Sequence, residues 1–96
     1  MKTSKSATVK YKINKGFIVQ KLGNKTTIFD GEKSQLYTFN QTASFIFDKI
    51  KKGLSKEEII ELMIKKYKIS NIRAQKDYLG LEKELFAKKI IVNSRN

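Results

Sequence analysis

The chain has 96 residues, of which 21 are Lys or Arg and 9 are Asp or Glu, so its formal net charge is +12. This length predicts a single domain with a modest core, and a hydrophobic content of 40% is too high for a wholly disordered chain. The absence of Cys, His and Trp excludes disulfides, thiol or imidazole catalysis and the usual zinc sites. No apolar run is long enough to predict a membrane span or a signal peptide, so we expect a cytoplasmic protein.

The first part of the chain reads as a short tail followed by strands. Residues 1–8 show no periodicity and predict a disordered tail. Val9, Tyr11 and Ile13 then alternate with lysines, which is typical of a half-buried strand. Two turn signals then separate three more strands, which together predict an antiparallel meander. These strands are predicted at about 17–22, 25–29 and 33–39, with turns at Gly23-Asn24 and Asp30-Gly31.

Beyond Asn40 the hydrophobic period changes to 3.6, which predicts helices. Asn40 is a good N-cap for the first helix, and Gly53 is its expected C-terminal stop. Ser55 and Glu58 form a capping box that predicts the start of the second helix.

The end of the chain predicts a third helix and a docked tail. The helix is predicted to run from Ser70 or Asn71 to about Ala87. Residues 90–92 are apolar and predict a short tail docked on the core. Three strands followed by closely spaced helices predict an α+β winged helix-turn-helix fold. We expect one such domain over residues 9–92 and a C-terminal tail at 93–96.

Two apolar stripes run along the third helix and lie about 120° apart at helical period. Either both stripes are core, or the second stripe lines a groove for something apolar. The remaining arc of the helix is charged. The first stripe holds Ala74, Tyr78, Leu81 and Leu85, the second holds Ile72, Leu79 and Phe86, and the charged arc holds Arg73, Lys76, Asp77, Lys83 and Glu84.

The last strand of the predicted meander, at residues 33–39, is an edge strand if nothing pairs with it. An edge strand carries unpaired N–H and C=O groups, which accept an added strand from an extended peptide. A groove between such an edge and a half-apolar helix suits a short peptide. The alternative is that the N-terminal segment 9–14 covers an edge of the sheet itself.

A family resemblance extends over about residues 15–92 and is carried by structural positions. These positions are Leu36 to Asn40, Ala43, Ile46, Phe47, Ile50, Gly53 to Ser55, Glu58, Ile59, Tyr67, Asp77, Tyr78, Leu81, Leu85 and Ile90 to Val92. The pattern resembles the PqqD family, whose members are also called RiPP recognition elements. The chain departs from the family pattern at Phe39, where Leu is usual, and at Lys89, where Gly is common.

The resemblance implies a non-enzymatic peptide-binding module. Members of the family bind the leader segment of a ribosomally made precursor peptide and present it to a modifying enzyme or leader peptidase. Examples are lasso-type peptidases and cyclases and radical-SAM enzymes. In the family the leader adds as a strand to the third strand of the sheet and packs against the third helix. Carried onto this chain, the implied leader-binding residues are Lys33, Leu36, Thr38, Ile72, Gln75, Lys76, Leu79, Lys83 and Phe86.

Two other classes of function follow from the residues alone. A charge of +12 suits a polyanion, so the alternative is a winged-helix DNA-binding transcriptional regulator. Against it, the charge is spread over both halves of the chain, and Arg73 and Arg95 are the only arginines. Asp77 and Glu84 also interrupt the basic arc of the third helix. An enzyme is disfavoured because His, Cys and a Gly-rich phosphate loop are absent, and we expect no cofactor and no metal.

Overall fold

The computed structural model describes residues 11–93, which form five strands and three helices. The strands are β1 (Tyr11–Ile13), β2 (Phe17–Leu22), β3 (Lys25–Asp30), β4 (Gln35–Thr38) and β5 (Ile91–Asn93), and the helices are α1 (Gln41–Lys51), α2 (Lys56–Tyr67) and α3 (Asn71–Ala87). The predicted α+β winged helix-turn-helix class, a three-stranded antiparallel sheet followed by three helices, is confirmed. No helix within residues 11–93 is long and apolar enough to cross a membrane.

Strands β2, β3 and β4 form the main sheet as an antiparallel meander. Gly23 and Asn24 alone join β2 to β3, as predicted for a tight hairpin. The register places Ile18 of β2 opposite Phe29 of β3, and Phe29 opposite Leu36 of β4. These three side chains therefore form one row across a single face of the sheet.

The last strand of the meander, β4, begins at Gln35, and the sequence-based start at residue 33 was wrong. The Oδ1 atom of the buried Asp30 accepts hydrogen bonds from the backbone N–H groups of Glu32 (3.0 Å) and Lys33 (3.1 Å). These bonds fold the chain into a turn that is longer than a two-residue hairpin, and Ser34 adopts a left-handed φ of 53° within it. Lys33 therefore lies in a turn and not on the strand edge.

A second, two-stranded sheet forms where the two ends of the described chain meet. β1 pairs with β5 in antiparallel register, and Ile13 lies opposite Ile91. The sequence predicted β1 as a strand and residues 90–92 as a docked tail. That segment does dock on the core, with Ile91 only 1% exposed, but it is a strand that includes Asn93.

Because β1 pairs with β5, the part of segment 9–14 that forms β1 covers neither edge of the main sheet. The alternative in which this segment shields an edge therefore does not apply to β1. The predicted N-terminal tail at residues 1–8, and residues 94–96 of the predicted C-terminal tail, lie outside the described residues.

The helices begin where their capping residues predict. The side chains of Asn40 and Ser70 each accept a hydrogen bond from the N–H group three residues later, at 2.8 and 3.1 Å. Ser55 and Glu58 form the predicted capping box, with bonds of 3.1 and 2.8 Å. Each cap satisfies an N–H group that the first helical turn leaves unpaired and contributes about 1 kcal/mol. Gly53 follows α1 with a φ of 84°, a conformation that glycine adopts without strain.

The core lies between the main sheet and the helices, and the first apolar stripe of α3 belongs to it. Its four residues, which were predicted as one face, are at most 6% exposed. Around them pack Ile28 from the sheet, Phe47 from α1 and Ile59 from α2, all at most 1% exposed. Burying one such side chain contributes about 1.5–3 kcal/mol. The first stripe therefore fixes the rotation of α3 and determines which of its faces point outward.

Candidate functional site

The outer edge of β4 carries backbone groups that pair with no other strand of residues 11–93. The N–H group of Phe39, the residue after β4, donates to the carbonyl of Thr26 in β3 at 2.9 Å. Backbone groups alternate in direction along an antiparallel strand, so Tyr37 also faces β3. Leu36 and Thr38 therefore direct their N–H and C=O groups outward, where an added strand can pair with them.

The end of this edge is tied to α1 by a buried hydroxyl. Ser44 accepts a hydrogen bond from the N–H group of Thr26 at 2.8 Å and donates to the carbonyl of Phe39 at 3.3 Å. Ser44 is only 1% exposed, so both bonds are shielded from water. They hold the chain at a fixed angle where β4 leads into α1.

A groove of about 600 Å³ lies between α1 and α3, next to the point where β4 ends. Ala43, Ile46 and Leu81 give it an apolar base, since Ile46 and Leu81 are 1% and 6% exposed. An apolar base with polar groups around it suits a side chain that needs both burial and orientation. The rest of the lining consists of Asn40, Thr42, Arg73, Lys76, Asp77, Gly80 and Glu84.

One flank of α3 faces β4. The Nζ atom of Lys88 lies 5.2 Å from the centre of the Tyr37 ring on β4, which is a cation–π contact. The same Nζ atom pairs with Glu84 of α3 at 3.1 Å. At helical spacing, Gly80, Asp77 and Glu84 lie on one side of the helix. The free edge of β4 and this flank of α3 are therefore neighbours.

The acidic residues of the groove are paired with cations. The Nε–H of Arg73 donates to Oδ2 of Asp77 at 3.2 Å, as Lys88 pairs with Glu84. Both pairs are partly exposed, so each contributes about 0–1 kcal/mol. Lys76 forms no ion pair with a carboxylate of residues 11–93, although the two cationic and two acidic side chains that line the groove balance in charge.

The second apolar stripe of α3 lies outside the core. Ile72, Leu79 and Phe86 are 80%, 42% and 39% exposed, so the alternative in which both stripes are core is excluded. None of the three lines the groove beside β4. The Phe86 ring packs edge-on against Tyr11, with ring centres 5.1 Å apart. The role of this stripe in binding stays a prediction.

Tyr11 covers the flank of α3 that lies opposite the groove. Its hydroxyl donates a hydrogen bond to Oε2 of Glu82 at 2.5 Å. Burial and the bond to Glu82 raise the pKa of Tyr11 above its ordinary value. The hydroxyl therefore stays protonated at neutral pH and continues to hold β1 against α3.

Comparison with known proteins agrees with this architecture. A family model described as Coenzyme PQQ synthesis protein D (PqqD) matches residues 25–91, which is more than half of the chain. The chain belongs to the PqqD family. The match includes the free edge of β4 and the whole of α3. Among curated proteins, no sequence matches the chain.

Two solved structures share the fold of this PqqD-family chain. One is described as lasso peptide synthetase B1 complexed with the leader peptide. Its alignment with this chain has a TM-score of 0.80 and 17% sequence identity. The alignment covers 86% of this chain and 98% of the solved one. The other is TbiB1 in complex with the TbiA(beta) leader peptide, with a TM-score of 0.79, 14% identity and coverage of 88% and 99%. At these identities the likeness shows the fold.

The structure distributes the residues predicted to bind a leader over several places. Leu36 and Thr38 lie on the free edge of β4, and Lys76 lines the groove beside it. The rest lie elsewhere: Lys33 in the β3–β4 turn, Gln75 in a second groove that α3 forms with α2, Lys83 on the surface, and Ile72, Leu79 and Phe86 on the second stripe.

Sequence reasoning missed the contribution of α1 and, apart from Lys76, of the flank of α3 that lines the groove. Thr42, Ala43 and Ile46 line the groove from α1, although the sequence favoured α3 alone as the partner of the edge strand. Gly80, which lies well inside α3, was a sequence signal that could have pointed to this flank of the helix. Glycine costs about 1 kcal/mol relative to alanine in a helix interior, so its position there calls for a reason.

Proposed function

We propose that this protein binds the leader segment of a ribosomally synthesised precursor peptide. The leader adds to the edge of β4 as a further strand, and its side chains on one face enter the groove between α1 and α3. The observation that carries the proposal is the outward direction of the backbone groups of Leu36 and Thr38 beside that groove. Membership of the PqqD family and the two leader-peptide complexes of the same fold support it.

The expected affinity comes from two sources. Each backbone hydrogen bond to the β4 edge contributes about 0.5–1.5 kcal/mol net. Apolar burial in the groove adds about 25 cal/mol for each Å² removed from water. Lys33, Lys76 and Lys83 add electrostatic steering of acidic leader residues, in keeping with the charge of +12, and this raises the association rate more than the affinity.

The proposed role ends with presentation of the bound leader to a separate enzyme. A lasso-type leader peptidase or cyclase is the first choice because one of the two structural neighbours is described as a lasso peptide synthetase, and a radical-SAM enzyme is the second. The chain itself is proposed to be non-catalytic and to act in the cytoplasm. Asp77 and Glu84, the carboxylates of the groove, are held in ion pairs with Arg73 and Lys88, which suits a binding surface.

The test uses a displayed library of random twelve-residue peptides to select ligands for the whole chain. The selected peptides are synthesised and titrated while backbone amide signals are followed by NMR. We expect the largest shifts at Leu36 and Thr38 and in the groove flank of α3, with little change at Lys21 on β2. The same spectra report whether Ile72, Leu79 and Phe86 respond.

Duplex DNA, titrated over a salt series, is the counter-measurement. A chain of charge +12 is expected to bind DNA weakly and without sequence preference. Tight, sequence-dependent DNA binding together with unmoved β4 amides would contradict the proposed function and favour a transcriptional regulator.

A further inference from the structure

Gly80 has no structural reason to be a glycine. It lies inside the 17-residue helix α3, where glycine lowers helix stability relative to alanine. Its φ is not left-handed, so the backbone does not require glycine. A Cβ atom built on it meets nothing within 4 Å beyond its own helix and chain neighbours, so the packing of residues 11–93 does not require glycine either.

The position of Gly80 indicates that glycine is needed for binding a partner rather than for folding. Gly80 lines the groove beside β4, and Asp77 and Glu84 lie about one turn away on either side. A side chain at position 80 would narrow the groove, because Gly80 lines it together with Ala43 and Ile46 of α1. Glycine therefore keeps open the stretch of the α3 wall that lies between the charged side chains of Asp77 and Glu84.

The register of an added strand decides which peptide side chains reach this opening. Tyr37 and Phe39 point to the face of the sheet that packs on the helices, since Phe39 is 5% exposed and Tyr37 packs against the core. Leu36, 63% exposed, points to the other face. Side chains directly opposite each other in paired strands share a face. Peptide residues opposite Tyr37 and Phe39 are therefore directed towards the groove.

We propose that Gly80 is a specificity-determining residue: it admits a bulky apolar side chain, aromatic or branched, from the bound peptide strand. The proposal rests on the proposed function and adds the chemistry of one peptide position to it. The apolar base favours burial of such a side chain, and the ion pairs Arg73–Asp77 and Lys88–Glu84 keep the nearby charges engaged with each other.

The test starts from the library-selected peptides and fills the groove. In wild-type selections we expect one peptide position to be enriched in bulky apolar side chains. This position lies on the face of the peptide that is directed towards the groove. Gly80→Leu should weaken binding of these peptides roughly tenfold to a hundredfold, because a leucine side chain overpacks the site. Asn71→Leu, an exposed position on the same helix outside the groove, is the matched control and should bind as wild type does.

A second variant and a second peptide show whether a change in affinity arises from altered folding or from the filled groove. Gly80→Ala should raise the midpoint of thermal unfolding by roughly 2 to 8 °C. A fall instead would mean that glycine is structural and would overturn the proposal. A peptide whose enriched bulky residue is changed to Ala should lose affinity for the wild type and lose little or none for Gly80→Leu.

The two proposals fail in different ways. If selected peptides leave the amides of Leu36 and Thr38 unmoved, the proposed function is wrong. If those amides move but Gly80→Leu binds the parent peptides as tightly as the wild type does, only the role of Gly80 is wrong. If peptides that bind the β4 edge show no position enriched in bulky apolar residues, the role of Gly80 is likewise wrong and the proposed function stands.

Discussion

The main sheet has two free edges within residues 11–93, and only one of them resembles a binding site. β2 is the longer edge, with six residues against four in β4. The Gly31 N–H donates to the Gly16 carbonyl at 2.9 Å, and by alternation Lys21 is among the β2 residues whose backbone groups point outward. Lys21 also pairs with Asp48 of α1 at 3.7 Å. A charged residue on an edge discourages pairing, whereas β4 contains none.

The space beside each edge also favours β4 over β2 as the binding site. A pocket of about 270 Å³ lies on the β2 side, and Lys21, Phe45, Lys66 and Tyr67 are among its lining residues. The Nζ atom of Lys66 lies 5.7 Å from the ring centres of both Phe45 and Tyr67. Burial raises the pKa of Tyr67, whose hydroxyl stays protonated. Long cations cover the aromatic surface here, whereas the groove beside β4 keeps its apolar base open. Edge length is therefore a poor guide to function compared with what lies beside the edge.

Among the substitutions that compare the two edges, proline is expected to produce the largest difference in peptide affinity. Thr38→Pro removes an outward N–H group without breaking a bond to β3, because that group faces away from the sheet. A peptide strand would lose a partner for one of its carbonyls, which costs about 1–3 kcal/mol or roughly a fivefold to a hundredfold loss of affinity. Lys21→Pro makes the same change on β2 and should leave peptide affinity unchanged. Titration calorimetry with a library-selected peptide measures both.

Thermal unfolding checks that both proline variants fold. Each should unfold cooperatively, because neither loses a ladder hydrogen bond. Equal losses of affinity in the two variants would break the comparison and show that the edges are equivalent. A loss confined to Lys21→Pro would place the peptide on β2.

A smaller difference is expected on the outer face of the sheet, where Ile18, Phe29 and Leu36 form one row. A peptide residue opposite Leu36 would extend this row and gain about 0.2–1 kcal/mol from the cross-strand contact. Leu36→Ser should therefore weaken peptide binding by up to roughly fivefold. Ile18→Ser removes a similarly exposed apolar side chain at the far end of the row and should have no effect. If both variants weaken binding equally, the peptide does not pair beside β4.

Local chemistry explains what the sequence predicted well. Asn40, Ser55 and Ser70 each cap a helix through atoms only three residues away, so the amino-acid types suffice to locate the helix starts. Gly23 and Asn24 close a hairpin for the same reason. Asp30 is the local exception, since its side chain bonds ahead to two N–H groups and moves the start of β4 to Gln35.

Contacts between distant residues explain what the sequence could not predict. The apolar content of α3 indicated two stripes, and burial of Tyr78 and Leu85 confirms one as core. The flank of α3 that faces β4 is identified by the contact between Lys88 and Tyr37, residues that are far apart in the chain. Helical spacing alone cannot reveal that neighbour. The sequence therefore favoured the visible second stripe, which includes Leu79, over a flank whose main feature is a missing side chain at Gly80.

The smallest effect is expected on the β2 side and concerns stability. Burial alone would raise the pKa of Asp48, but the hydrogen bond from Lys52 and the charges of Lys21, Lys52 and Lys49 outweigh it and hold the pKa below its ordinary value. A lowered pKa in the folded state stabilises the fold above the unfolded pKa of about 4. This stabilisation is lost as the pH falls through the folded value.

Asp48→Asn should therefore lower the stability near neutral pH by about 1 kcal/mol or less, because two of its three lysine partners, Lys21 and Lys52, are largely exposed. The difference from the wild type should shrink in acid, once Asp48 is protonated in both states, and thermal unfolding over a pH series measures it. Peptide affinity should stay at the wild-type value, because this charge cluster lies beside β2. A loss of affinity in Asp48→Asn would mean that the β2 side also contacts the peptide, and the two edges would then act together.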